Sequence, residues 1–200
     1  MKKKDILAAF IIGEACALIF LLVLGLLEVP APLLKLTGFL PIILPVFSIL
    51  GIFVVSLFEE KIPVFFQAGK SFLVGILNTF IDLGILTFLM ETFRIFAGFP
   101  YVLFKGISFG LATINSYFWN KFWTFEKREI KEALKETSQF YLITLGGLLI
   151  HLGVSSFVVN IVGPQFGISE RLWAYFGAMM AVFCGFAWNF LGYKFVVFKK

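Results

Sequence analysis

Four ionisable residues lie inside long apolar runs: Glu14, Asp82, Lys105 and His151. A charged group in hydrocarbon costs roughly 2.5–3.5 kcal/mol on insertion scales, so each needs a partner or a task. Carboxylates, an ammonium and an imidazole at membrane depth can relay protons, pair with one another, or line a polar cavity. Helical spacing adds neutral groups to this set. Gly75, Asn78 and Asp82 fall on one face at i, i+3 and i+7, and Thr144, Gly147 and His151 repeat the arrangement. Two matching stripes point to a shared polar cavity, with simple helix-to-helix polar contacts as the alternative. Lys105 lies near the start of its run and is followed by Ser108, Ala112, Ser116 and Asn120 along one i+4 line. Its ammonium could reach Asp82 in an ion pair for which a bound phosphate would compete, or its stem could snorkel outward.

Other chemistries find no support. One histidine and two distant cysteines, Cys16 and Cys184, give no zinc-ligand spacing, and no cofactor is expected. Gly69-Lys70-Ser71 has the ending of a phosphate loop, but Val64 stands where the loop needs glycine. Lys70 reads instead as an interfacial anchor that could also contact a lipid headgroup. With short loops and no Ser-His-Asp arrangement that spacing would support, no enzyme active site is expected.

The elements that must position these residues are membrane helices. Of 200 residues, 60% are hydrophobic and 14% charged, and the mean hydropathy is +0.97. A soluble domain of this size could not hide that much apolar surface. Six runs are long enough to cross a hydrocarbon core, near 7–27, 36–58, 72–90, 101–119, 141–163 and 172–193. They are continuously apolar rather than alternating, which predicts an all-α membrane protein of about six transmembrane helices. Pro41 and Pro45 make the second run either a kinked span or a re-entrant segment. The first run is longer than a signal-peptide core and carries Glu14, so an uncleaved helix is expected.

Thirteen of the 17 Lys and Arg lie on the N-terminal side of these spans, three on the other, and Lys105 within one. This bias predicts a multi-pass protein of the cell membrane with both termini cytoplasmic. The net charge of +5 therefore points to membrane lipids, with no nucleic acid as partner. Residues 126–139 read as a surface helix with a Lys127, Lys131, Lys135 stripe, or as a solvated connector. Gly106 and Gly110, and Gly177, Ala181 and Gly185, are small-residue packing stripes. Tyr101, Trp173 and Tyr175 fit an outer aromatic belt; Trp119, Trp123, Tyr141 and Tyr193 fit an inner one.

The chain also repeats itself. Asp82-Leu83-Gly84 is matched by His151-Leu152-Gly153, and the helix exit Lys121-Phe122-Trp123-Thr124-Phe125 by Lys194-Phe195-Val196-Val197-Phe198. Each unit is a helical hairpin, so the repeats run parallel. The order Phe72-Leu73-Val74-Gly75, Asn78-Thr79, Asp82-Leu83-Gly84, then Asn120 to Phe125 at a helix end, resembles the GtrA-like family. Trp188-Asn189-Phe190-Leu191 before Lys194 is similar to its closing motif. Val196 departs from the first repeat's Trp123.

The resemblance covers residues 68–200 and implies a four-helix core of two repeated hairpins. Residues 1–67 would be an extension bearing two further spans. It also implies a role in moving or presenting a polyprenyl-phosphate-linked sugar lipid for cell-envelope polysaccharide glycosylation. On this reading Lys121 and Lys194 attract the phosphate beside Asn120, while Trp123 stacks on a sugar face. Asn78, Asp82, Lys105, His151 and Asn189 would line a polar path. Two alternatives stay open. One is a non-catalytic anchor or regulatory subunit of a glycosyltransferase; the other is a proton-coupled solute transporter using Glu14, Asp82 and His151. A glycosyltransferase partner and a homo-oligomer are both left open.

Overall fold

The computed structural model describes residues 1–27, 29–125 and 133–192. Among them there is no strand. The helices are α1 (Lys3–Leu26), α2 (Ala31–Thr37), α3 (Leu40–Ser56), α4 (Pro63–Phe93), α5 (Gly98–Trp119), α6 (Ala133–Ser156) and α7 (Glu170–Gly192). π-Helical turns follow α5 (Asn120–Thr124) and α6 (Phe157–Val162). The protein is an all-α membrane protein, and each of the six expected spans falls on helix. Among the described residues, four stretches are long and apolar enough to cross a bilayer by length and composition alone: Lys3–Leu26, Lys35–Ser56, Phe65–Phe93 and Leu145–Val162.

The chain forms two compact units. The first comprises Met1–Phe88 with Leu111–Arg128, the second Leu89–Gly110 with Glu129–Lys200, so α4 and α5 each contribute to both.

In the first unit, α1 carries small residues at helical spacing, Ala9, Gly13 and Ala17, all buried. They let α3 come close: a Cβ on Gly13 would stand 2.5 Å from the Pro45 Cα. Pro45 sits inside α3 and is buried there, which settles the second run as a short helix, a turn at 38–39, and then α3 as one continuous helix. A prolyl ring donates no N–H, and in lipid its neighbours must cover the freed carbonyl. Ile12, Cys16, Ile52, Leu73, Val74 and Leu77 form the core, closed at one end by Phe66 and Trp123. Gly84 lies against Ile19 and Gly69 against Val55, so α4 meets both α1 and α3 at glycines. The outer faces are as apolar as the core, with Leu36, Ile42 and Phe47 each about two-thirds exposed. Only lipid makes such a surface stable.

α4 starts at Pro63, nine residues before the apolar run expected at 72. Proline suits a first helical position because its missing N–H would be unsatisfied there in any case. The helix closes with Arg94 in the left-handed region (φ 55°) and Ile95 N–H bonded to the Met90 carbonyl at 3.2 Å, a Schellman ending.

The second unit is built on α6 and α7. Ala174, Ala178 and Ala181 are fully buried. Gly177 abuts Val159, and Gly185 abuts His151. The packing stripe read from the sequence of α7 is thus a close-approach surface. Tyr101 and Trp173 are not belt residues. Both are buried, with Tyr101 Oη donating to Ala174 O (3.3 Å) and Trp173 Nε1 to Val158 O (2.8 Å). Of the expected surface helix, 133–139 form the opening turns of α6 and 126–132 lie outside the described residues.

Candidate functional site

The π turn at the end of α5 organises the first unit's polar groups. It is closed by Phe125 N–H donating to Asn120 O at 2.9 Å, an i to i+5 bond. Single π turns of this kind recur at functional sites. Within five residues it sends side chains in three directions. Asn120 turns to α4, accepting from Ser71 Oγ (3.1 Å), and donates back to Ser116 O (3.0 Å) and Oγ (3.2 Å) on α5. Lys121 turns outward, half-buried, donating to Tyr117 Oη at 3.1 Å and lying 5.3 Å from the Tyr117 ring and 5.6 Å from Phe122. Trp123 turns inward and is buried. A shallow cleft of about 260 Å³, lined by Phe118, Trp119, Phe122 and Trp123, lies beside the lysine. An ammonium over aromatic rings next to an apolar cleft suits an anionic headgroup carrying an apolar tail.

Along α4 the polar line continues deeper. Asn115 Nδ2 donates to Asn78 Oδ1 at 2.8 Å, and Asp82, one turn further on, is 3% exposed. Asn115 carries no mark in the sequence. Its i+4 partner position to Trp119 gives no signal, and only the fold brings it opposite Asn78.

Trp123 leads to a cluster that the sequence did not reveal. Its Nε1 donates to Asp5 Oδ1 at 3.1 Å, and Lys70 Nζ lies 2.6 Å from the same oxygen. The backbone N–H of Lys2 donates to Asp5 Oδ2 at 3.0 Å. Phe66 and Trp123 flank the ammonium with ring centroids at 4.4 and 5.4 Å. Lys70 is therefore no exposed anchor: its side chain is 3% exposed and that of Asp5 is 0%.

The second unit has its own buried carboxylate. Glu91 accepts from Arg171 Nε (2.7 Å), Tyr175 Oη (2.9 Å) and Arg94 Nη1 (3.3 Å). Glu91→Ala should lower stability by about 2 kcal/mol. That is below the roughly 3–5 kcal/mol of a fully buried pair, because Arg171 keeps part of its hydration. Thermal unfolding in detergent would measure it, and an unchanged midpoint would mean that these bonds hold nothing in place. Nearby, Asn160 Oδ1 accepts from Gly98 N–H at 2.6 Å, fixing the turn into α5 where Gly98 adopts φ 78°.

The expected site residues divide between the units. Asn78, Asp82, Asn120, Lys121 and Trp123 belong to the first. Lys105, fully buried, and His151, half-buried with its ring 4.7 Å from Phe109, belong to the second. Asn189 lies on α7, its side chain outside the described residues, and Lys194 lies outside them altogether. Among the described residues no group of three or more metal-ligating side chains occurs.

These features define a polytopic helical membrane protein with a buried carboxylate cluster in each unit and, in the first, a polar line through Asn120, Asn78 and Asp82. Residues 70–198 match the family model of the GtrA/DPMS transmembrane domain, and the chain belongs to that family. It is a membrane protein of polyprenyl-linked sugar handling. No curated protein and no solved structure matches the chain.

Proposed function

We propose that the protein carries a polyprenyl-phosphate-linked sugar across the cell membrane, or presents it there, without making or breaking a covalent bond. The observation that carries this reading is the π turn. It sets Lys121 and an aromatic cleft at the mouth of a polar line running through Asn120 and Asn78 to Asp82. Lysine meets the phosphate, exposed aromatic rings accept the first prenyl units, and amides and a carboxylate offer hydrogen bonds to sugar hydroxyls. The bias of basic residues supports a cytoplasmic position for this mouth and for both termini. Lys105 and His151 of the second unit, with Asn189 and Lys194, remain proposed contacts for the same substrate. Membrane lipids surround it, and a glycosyltransferase would consume the sugar delivered.

The test is translocation in proteoliposomes, with a short-chain polyprenyl-phosphoryl sugar supplied on one face. Lys121→Ala and Asp82→Ala should each slow its arrival by roughly tenfold or more, the worth of one charge-assisted hydrogen bond. Movement no faster than in empty vesicles, by protein that still retains a glycosyltransferase, would overturn the transport reading in favour of an anchor.

A further inference from the structure

The cluster at the start of α1 has the form of an anion site already filled. Three donors converge on one carboxylate: the Lys70 ammonium, the Trp123 indole N–H and the Lys2 amide. Phe66 and Trp123 wall the ammonium off from water, so its charge acts through a low dielectric. An ammonium and an indole N–H are also the donors that a phosphate oxygen takes.

The two halves of the site lie on either side of the start of the family match. Lys70 and Trp123 lie within the residues matched to the family model, whereas Asp5 lies in the segment before it. Lys2, Lys3 and Lys4 are exposed around the first turn of α1, where an arriving anion would meet them first. A buried pair of opposite charges stands near balance between desolvation and attraction, so exchanging one anion for another need not be steeply uphill.

We infer that Lys70 and Trp123 form a phosphate-binding site that the Asp5 carboxylate closes from within, so that phosphate binding and release of the first turn of α1 are coupled. The ligand is a phosphate mono- or diester, and Asp5 is its competitor. This deepens the reading above, on which it rests in taking a lipid phosphate as the natural ligand.

The experiment measures binding to the full chain in detergent micelles, using farnesyl phosphate, farnesol and inorganic phosphate as probes. Asp5→Asn keeps the shape of the plug and removes its charge. It should bind farnesyl phosphate about tenfold more tightly than the wild type, within the usual range of a coupling between competing ligands. Asp5→Asn/Lys70→Gln should lose that gain, and farnesol should show no difference. A gain for inorganic phosphate as well would make the site one for free phosphate; a gain for farnesyl phosphate alone would assign it to the lipid. Equal or weaker binding by folded Asp5→Asn would overturn the inference.

Should Asp5→Asn not fold, the wild type labelled with ¹⁵N-tryptophan gives the answer. The Trp123 indole resonance, assigned through Trp123→Phe, should shift saturably with farnesyl phosphate and not with farnesol. An unmoved resonance would equally overturn the inference. Absent translocation with this coupling intact would refute the transport reading alone; translocation without the coupling would refute the Asp5 plug alone.

Discussion

Lys70→Met is expected to lower stability by about 3–5 kcal/mol, the usual cost of removing one partner from a buried ion pair. The Asp5 carboxylate would keep the Trp123 and Lys2 N–H groups but lose its countercharge, in a place with no exposure to water. Asp5→Asn/Lys70→Met should recover most of the loss, because a neutral amide with an apolar neighbour no longer strands a charge. SDS-induced loss of helical circular dichroism in mixed micelles would report the wild type and both variants. Equal midpoints for the wild type and Lys70→Met would mean that water reaches the carboxylate.

The second large effect is steric. Gly13→Leu should cost about 3 kcal/mol, the upper part of the range for overpacking. The first added carbon already meets backbone, at 2.5 Å from Pro45 Cα, 2.7 Å from Pro45 N and 2.8 Å from the Leu44 carbonyl carbon. No side chain can swing aside there, so α1 and α3 would have to part along their length. Gly25→Leu on the same helix is the control, since a Cβ at Gly25 meets nothing within 4 Å. It should stay within about 0.5 kcal/mol of the wild type. Similar losses at both positions would show that leucine disturbs α1 for reasons unrelated to its crossing with α3.

The helices were legible because a run of about twenty apolar residues has few other uses, and the packing stripe of α7 because small residues at i+4 spacing have few others. The partners were not. Asp5 stands among lysines that read as an orientation signal, and its contacts are 65 and 118 residues away in the chain. Lys70 and Glu91 sit near the ends of an apolar run, where charged residues ordinarily meet water, so nothing local marks them as buried. Tyr101 and Trp173 are indistinguishable in composition from interfacial aromatics, and only tertiary hydrogen bonds turn them inward. Asn78, Asp82, Asn120 and Lys121 could be chosen from residue type and depth alone. That Asn120 and Lys121 point in different directions could not, because a π turn has no compositional signature.

That turn bears on how such a chain can change over evolutionary time. It accommodates one more residue than an α-helical turn would, so its geometry depends on the number of residues between 120 and 124 more than on any one side chain. A single-codon deletion there would restore ordinary pitch and redirect the side chains within the turn. Trp123 would be carried away from Asp5, whereas Lys121 would keep Tyr117 as its i+4 neighbour. Point substitutions can drift at such a place, whereas insertions and deletions are the changes that selection must remove.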